Sequence, residues 1–142
     1  MVQIGASRSK GMVRRFKTCQ RYEPVVLAMH GRLLAEHGGA SGIRDPALLE
    51  SALARPQHPL SYGDPDIYDL AAAYTSGIFR KHPFVDGNKR TGFMVGYVFL
   101  ASNGVQLTAT EVDVVRVVTL LAASEVGKSE YAAWLRANCE TA

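Results

Sequence analysis

A break at residues 82–90, His-Pro-Phe-Val-Asp-Gly-Asn-Lys-Arg, constrains this chain more than any other stretch, because no helix can run through it. Pro83 steers His82 out of the helical region, so a preceding helix must end there. Gly87 permits a left-handed or tightly turned backbone, and Asn88 opens the next helix. On both sides the apolar spacing is helical. Upstream, Asp66 is placed as the N-cap of a helix whose buried stripe is Ile67, Leu70, Ala71, Tyr74 and Ile78. Downstream, the helix from Asn88 runs to about Ser102 and stops at Asn103-Gly104. Gly92 and Gly96 on that helix point to close packing against a neighbour rather than to ligand binding.

The rest of the chain is punctuated in the same way. Pro24 suits a first helical position, and Val26, Met29, Leu33, Leu34 and His37 follow helical spacing until Gly38-Gly39. Asp45-Pro46 opens a short helix with Leu48, Leu49, Ala52 and Leu53 on its apolar side, closed by Pro56. Residues 56–65 carry three prolines and a glycine and read as a loop. Thr108 with Glu111 forms a capping box for a fifth helix through Val112, Val115, Val118 and Leu121. Ser129 is placed as the cap of a last helix presenting Tyr131, Trp134 and Leu135. The expectation is an all-α, single-domain bundle of about six helices with the loop between two central ones.

At 142 residues the chain can bury a core without disulfides. Cys19 and Cys139 form no ligand-like cluster and read as reduced thiols. Six of the sixteen basic residues lie before residue 22, where there is no acid; the remaining ten face thirteen acids, so the body is net negative. That distribution argues against nucleic-acid binding by the folded body. Residues 1–21 read as a basic, poorly structured extension. A vector-derived leader comes first, an early start ahead of Met12 second, and a weak polyanion-binding arm third. No apolar run follows these charges, so they are not a secretory signal. The most apolar later stretch, Phe93 to Ala101, is far short of the roughly 20 residues a membrane span needs. The cytoplasm is the default compartment.

The break carries its own chemistry. Asn88, Lys89 and Arg90 fall in the first turn of a helix, where unpaired N–H groups and the helix dipole favour anions. Two cations are misplaced there unless a phosphate lies between them and the N–H groups. His82 can accept a proton near neutral pH. Asp86 can hold Mg²⁺ on phosphate oxygens. Phe84 between them is an inward-pointing anchor. A histidine beside a proline, an Asp-Gly turn or a solvated Lys-Arg pair is commonplace alone; together in nine consecutive residues they describe a phosphoryl-transfer site.

At these residues the sequence resembles the Fic/Doc family, specifically its Doc (death on curing) branch of toxin–antitoxin modules, with the pattern His-x-Phe-x-Asp-(Ala/Gly)-Asn-Lys-Arg. The segment from Glu36 to Pro56 and Asn103-Gly104 are also similar, and the likeness spans about residues 24–138. The resemblance implies a helical Fic fold over residues 22–142. His82 would be the general base and Asp86 the Mg²⁺ ligand, with Gly87, Asn88, Lys89 and Arg90 binding the phosphates of ATP. Fic proteins proper carry Gly-Asn-Gly-Arg-x-x-Arg and transfer AMP; here Lys89 replaces the second glycine and Phe93 the last arginine. The Doc branch is thought to bind the nucleotide reversed and to phosphorylate its target, elongation factor Tu, arresting translation. Self-inhibited Fic proteins carry (Ser/Thr)-x-x-x-Glu-(Gly/Asn). None of the glutamates at 23, 36, 50, 111, 125, 130 and 140 is followed by Gly or Asn. Restraint is then expected in trans, from a Phd-like antitoxin with a disordered tail. The loop at 56–65 is the candidate for docking the target. AMP transfer to a protein hydroxyl, and a non-catalytic module that binds nucleotide or a partner, stay open as alternatives.

Overall fold

A computed structural model describes residues 23–54 and 65–141; the basic leader, Pro56 and nearly all of the 56–65 loop lie outside that range. The described residues form six helices: α1 (Glu23–His37), α2 (Pro46–Ala54), α3 (Ile67–Lys81), α4 (Asn88–Ser102), α5 (Glu111–Ala122) and α6 (Lys128–Ala137). The architecture is all-α, with one addition. Strands β1 (Val105–Leu107) and β2 (Cys139–Thr141) pair antiparallel, Val105 opposite Thr141 and Leu107 opposite Cys139. Strands this short leave no periodic signal in the sequence. Among the described residues no helix is long and apolar enough to cross a membrane.

Helix α3 is the axis of the domain. Asp66 caps it as expected, and Asp69 returns the bond: Asp69 N donates to Asp66 Oδ1 at 2.9 Å and Asp66 N to Asp69 Oδ2 at 3.0 Å. Its residues from Leu70 to Ile78 are all buried, so it is covered on every side, by α2, α4 and α6 among others. Arg136 of α6 clamps the start of α3 through Asp66 (2.8 Å) and Asp69 (3.4 Å). Partial burial opposes ionisation of Asp66, but hydrogen bonds from Arg136 and the Asp69 backbone hold its carboxyl below the ordinary carboxylate value. Burial pushes the Cys139 thiol up to about 11, keeping it protonated at neutral pH.

The two glycines of α4 do what their spacing suggests. A Cβ on Gly92 would lie 2.6 Å from the ring of Phe79, and one on Gly96 would collide with Thr75 Oγ1 and come within 3.1 Å of Ala71 O. The backbones of α3 and α4 therefore touch. Thr75 Oγ1 donates to Gly92 O at 2.8 Å and is hydrogen-bonded to the buried Tyr131 phenol, tying α3, α4 and α6 together. Tyr74 packs against Phe99 beside this seam, ring centroids 5.0 Å apart.

Four local expectations are corrected. Helix α5 is capped by Thr110, whose Oγ1 accepts from Asp113 N at 3.2 Å. Thr108 is committed elsewhere, its N–H and hydroxyl both donating to Asn138 O and extending the β1–β2 pairing. Helix α6 starts at Lys128 after Gly127, whose N–H donates to Glu130 Oε1 at 2.7 Å, so Ser129 is inside the helix. In α5 only Val117, Val118 and Leu121 are buried, while Val112 is 76% and Val115 60% exposed, because the first half of the helix extends past the core. The α1 stripe differs as well: His37 is exposed and His30 is buried instead.

Gly96→Ala should lower stability by about 1–3 kcal/mol, because the added methyl must displace a hydrogen-bonded threonine, outweighing a helix-propensity gain of about 1 kcal/mol. A thermal melt matching or exceeding that of the unaltered protein would show that the seam has slack.

Candidate functional site

The connection between α3 and α4 is held at both ends and from one side. His82 ends α3 in the left-handed conformation (φ 53°), its N–H donating to Ile78 O at 2.9 Å. Pro83 keeps His82 out of the right-handed helical region, so the helix cannot continue; the left-handed turn is that of a helix C-cap. Arg44 then takes the carbonyls left over at the helix end, Nε donating to His82 O at 2.8 Å and Nη2 to Lys81 O at 2.9 Å. Residues 42–45 run antiparallel to the loop: Arg44 N donates to Pro83 O, Val85 N to Gly42 O, and Ile43 bridges Phe84.

Phe84 is the inward anchor, fully buried. Its backbone is closed off by Asn88: Phe84 N donates to Asn88 Oδ1 at 3.0 Å and Asn88 Nδ2 to Phe84 O at 2.9 Å. Asn88 was read as a phosphate-binding residue. Its side chain lies buried against the loop, leaving its backbone N–H as the group at the helix start. Gly87 occupies the left-handed N-cap position (φ 80°) and provides no side-chain cap, so the first-turn N–H groups are open to an external acceptor.

His82, Asp86, Lys89 and Arg90 are all exposed. Together with Val85, Gly87, Asn88 and Phe93 they line one cavity of about 590 Å³, to which α5 adds Val114, Val115, Val118 and Thr119. The motif supplies its polar, cationic wall and α5 a mostly apolar one. Among the described residues Lys89 and Arg90 make no ion pair, and α4 has no acid in its first turn. The conflict between these cations and the helix dipole is therefore left unrelieved by the described residues. Asp86 likewise has no cationic partner among the described residues. Its Oδ1 accepts from Gly87 N at 2.8 Å and its Oδ2 from Ala40 N at 3.3 Å. Gly39 (φ 122°) is needed for this approach, since a Cβ there would be 2.8 Å from Asp86 Oδ2.

Three contributors escaped the sequence reading. The sequence marks Gly39 only as part of the helix stop at Gly38-Gly39, does not single out Ala40, and presents Arg44 only as part of a similar segment. His30 was not singled out, although it lies four residues after Val26 on the apolar side of α1. It stacks on Phe84 (centroids 3.8 Å apart, planes at 12°), and its Nε2 is 2.8 Å from Asp86 O.

A helical domain whose central pair of helices is joined by a histidine–aspartate loop, with two exposed cations at the head of the second helix, is the class that fold and site define. A family model described as the Fic/DOC family matches residues 22–100, and the chain belongs to that family. It is 46% identical over 74 residues to a protein of Mycolicibacterium smegmatis named Toxin Doc, an alignment covering 51% of this chain and 57% of that one. It is 34% identical over 83 residues to a protein of Escherichia phage P1 named Protein kinase doc, covering 58% of this chain and 66% of that one. The matched span is less than two thirds of the length of either relative.

Asn88→Ala should strand the buried N–H and C=O of Phe84, each worth about 1–3 kcal/mol when unpaired. The melting temperature is expected to fall by several degrees. A variant that melts like the unaltered protein would mean that the loop does not depend on this pair.

Proposed function

We propose that this chain is a Doc-type toxin that transfers the γ-phosphate of ATP to a hydroxyl of a translation factor, with elongation factor Tu as the expected target. The observation that carries the reading is Lys89, exposed in the first turn of α4 and lining the same cavity as His82 and Asp86. In the AMP-transferring pattern that position is glycine. A lysine fills space which that pattern leaves for the nucleotide's phosphates, and Phe93 removes its last arginine. A nucleotide presenting its γ-phosphate to His82 suits such a site better. The names of the two relatives, a toxin and a protein kinase, support the same reading.

In the proposed reaction His82 takes the proton of the target hydroxyl. The hydroxyl oxygen bonds to the γ-phosphorus as the bond to the β–γ bridging oxygen breaks, and ADP leaves. Lys89, Arg90 and the first-turn N–H groups of α4 hold the phosphate oxygens throughout. Asp86 fits a Mg²⁺ ion: it is exposed, lacks a cationic partner among the described residues, and keeps acceptor capacity on both oxygens beyond its two backbone N–H groups. Mg²⁺ at phosphate sites takes one or two carboxylates plus phosphate oxygens, and there it would neutralise the charge that develops on ADP.

Restraint is assigned to a Phd-like antitoxin in trans, since no glutamate of these 142 residues sits in the self-inhibitory pattern. Val85 and Val115 at the cavity, with Val112 beyond it, are exposed apolar groups suited to a partner. Compartment, nucleotide and target all belong to this reading, the cytoplasm being where a translation factor is met.

Incubation with ATP and elongation factor Tu should transfer γ-label and not α-label, with His82→Ala and Asp86→Ala each reducing transfer by at least about a hundredfold. Transfer of α-label alone would replace the reading with AMP transfer. Expression without antitoxin should arrest growth for the unaltered chain and spare it for His82→Ala; equal tolerance of both would favour a non-catalytic binding module.

A further inference from the structure

His30 is a buried histidine that the proposed reaction does not use, and its ring nitrogen reaches the backbone of the residue assigned to the metal. It is 6% exposed, on α1, outside the motif in sequence and brought to it by tertiary packing. Its ring lies flat on Phe84, which fixes the plane of the imidazole. Within that plane Nε2 is 2.8 Å from Asp86 O. A carbonyl oxygen can only accept, so Nε2 carries the proton and donates.

The bonded carbonyl belongs to the peptide unit joining Asp86 to Gly87. The N–H of the same peptide unit donates to Asp86 Oδ1 at 2.8 Å. A single chain of hydrogen bonds therefore runs from His30 through one peptide group to the Asp86 carboxylate. Each bond polarises the next, and rotation of that peptide would break both at once. The second carboxylate oxygen is met by Ala40 N, which follows the end of α1, the helix that carries His30. Closest to a methyl placed on Gly87 would be His30 Nε2 and Leu34 Cδ2, both at 3.5 Å.

We propose that His30 is a positioning residue for Asp86, setting the carboxylate through the Asp86–Gly87 peptide so that a divalent cation and nucleotide phosphates find it already oriented. The inference rests on the assignment of Asp86 as metal ligand in the proposed function. A group that orients a metal ligand in this way changes metal affinity by about 10–100-fold when lost.

The test uses Mn²⁺ as probe, its free concentration followed by electron paramagnetic resonance during titration of the full chain in saturating ATP. Excess binding over ATP alone, lost in Asp86→Asn, defines the site. His30→Phe keeps the stack on Phe84 and removes the donor; its Mn²⁺ affinity should fall about tenfold or more while its melting temperature without nucleotide stays near that of the unaltered protein. His30→Gln, which restores an N–H donor, should recover much of the loss. Should the phenylalanine variant not fold, His30→Leu against His30→Gln makes the same comparison. Equal Mn²⁺ affinity with and without a donor at position 30, with Asp86-dependent binding intact, overturns this inference alone. Absence of any Asp86-dependent binding in the unaltered chain overturns the metal assignment, and this inference with it.

Discussion

Backbone contact between α3 and α4 is the constraint on which the site rests. Gly92 and Gly96 let α4 approach until Thr75 of α3 bonds directly to a carbonyl of α4. Helices packed this closely are held firmly relative to each other, since any shift meets close-packed atoms. The end of α3 and the beginning of α4 are thereby held at a set separation. The loop from His82 to Gly87 must bridge that gap, and its dihedral angles follow from having to do so.

Within the loop, apolar and polar residues divide the work. Phe84 is swallowed by the core, and Asn88 ties its backbone off. His82 and Asp86, two residues before and two after this anchor, are exposed and line the same cavity. The remaining ties come from α1 and from residues 42–45, which supply backbone groups, Arg44 and His30. A site assembled this way leaves its cations and carboxylate without ion-pair partners among the described residues. Groups held apart in a preorganised frame can act on a charged ligand without first breaking internal bonds.

Much of this was legible along the chain. The caps at Asp45 and Asp66, the stops at Gly38 and Asn103-Gly104, and the stripe of α3 are local facts, governed by dihedral preference and spacing over one or two turns. The same holds for the boundaries of the loop, which proline and glycine set by sterics alone. Where two local solutions were available, sequence reasoning chose wrongly. Thr108 and Thr110 can each cap α5, and the choice fell to Thr110 because Asn138 claims Thr108. Val112 and Val115 fit a buried stripe by period, but period does not say where the core ends.

The identity of the loop, its end points and the kinds of chemistry it can perform are properties of nine consecutive residues, and so they could be read from the sequence without knowing what surrounds them. Orientation could not. His30 and Arg44 lie 56 and 38 residues from the groups they bond, and Asn88 bonds inward where a phosphate contact was expected. Hydrogen bonds across such distances exist only once α1, α3 and α4 have packed, because no local propensity encodes them. Side-chain chemistry is carried by the residue; its direction is set by whatever the fold brings alongside.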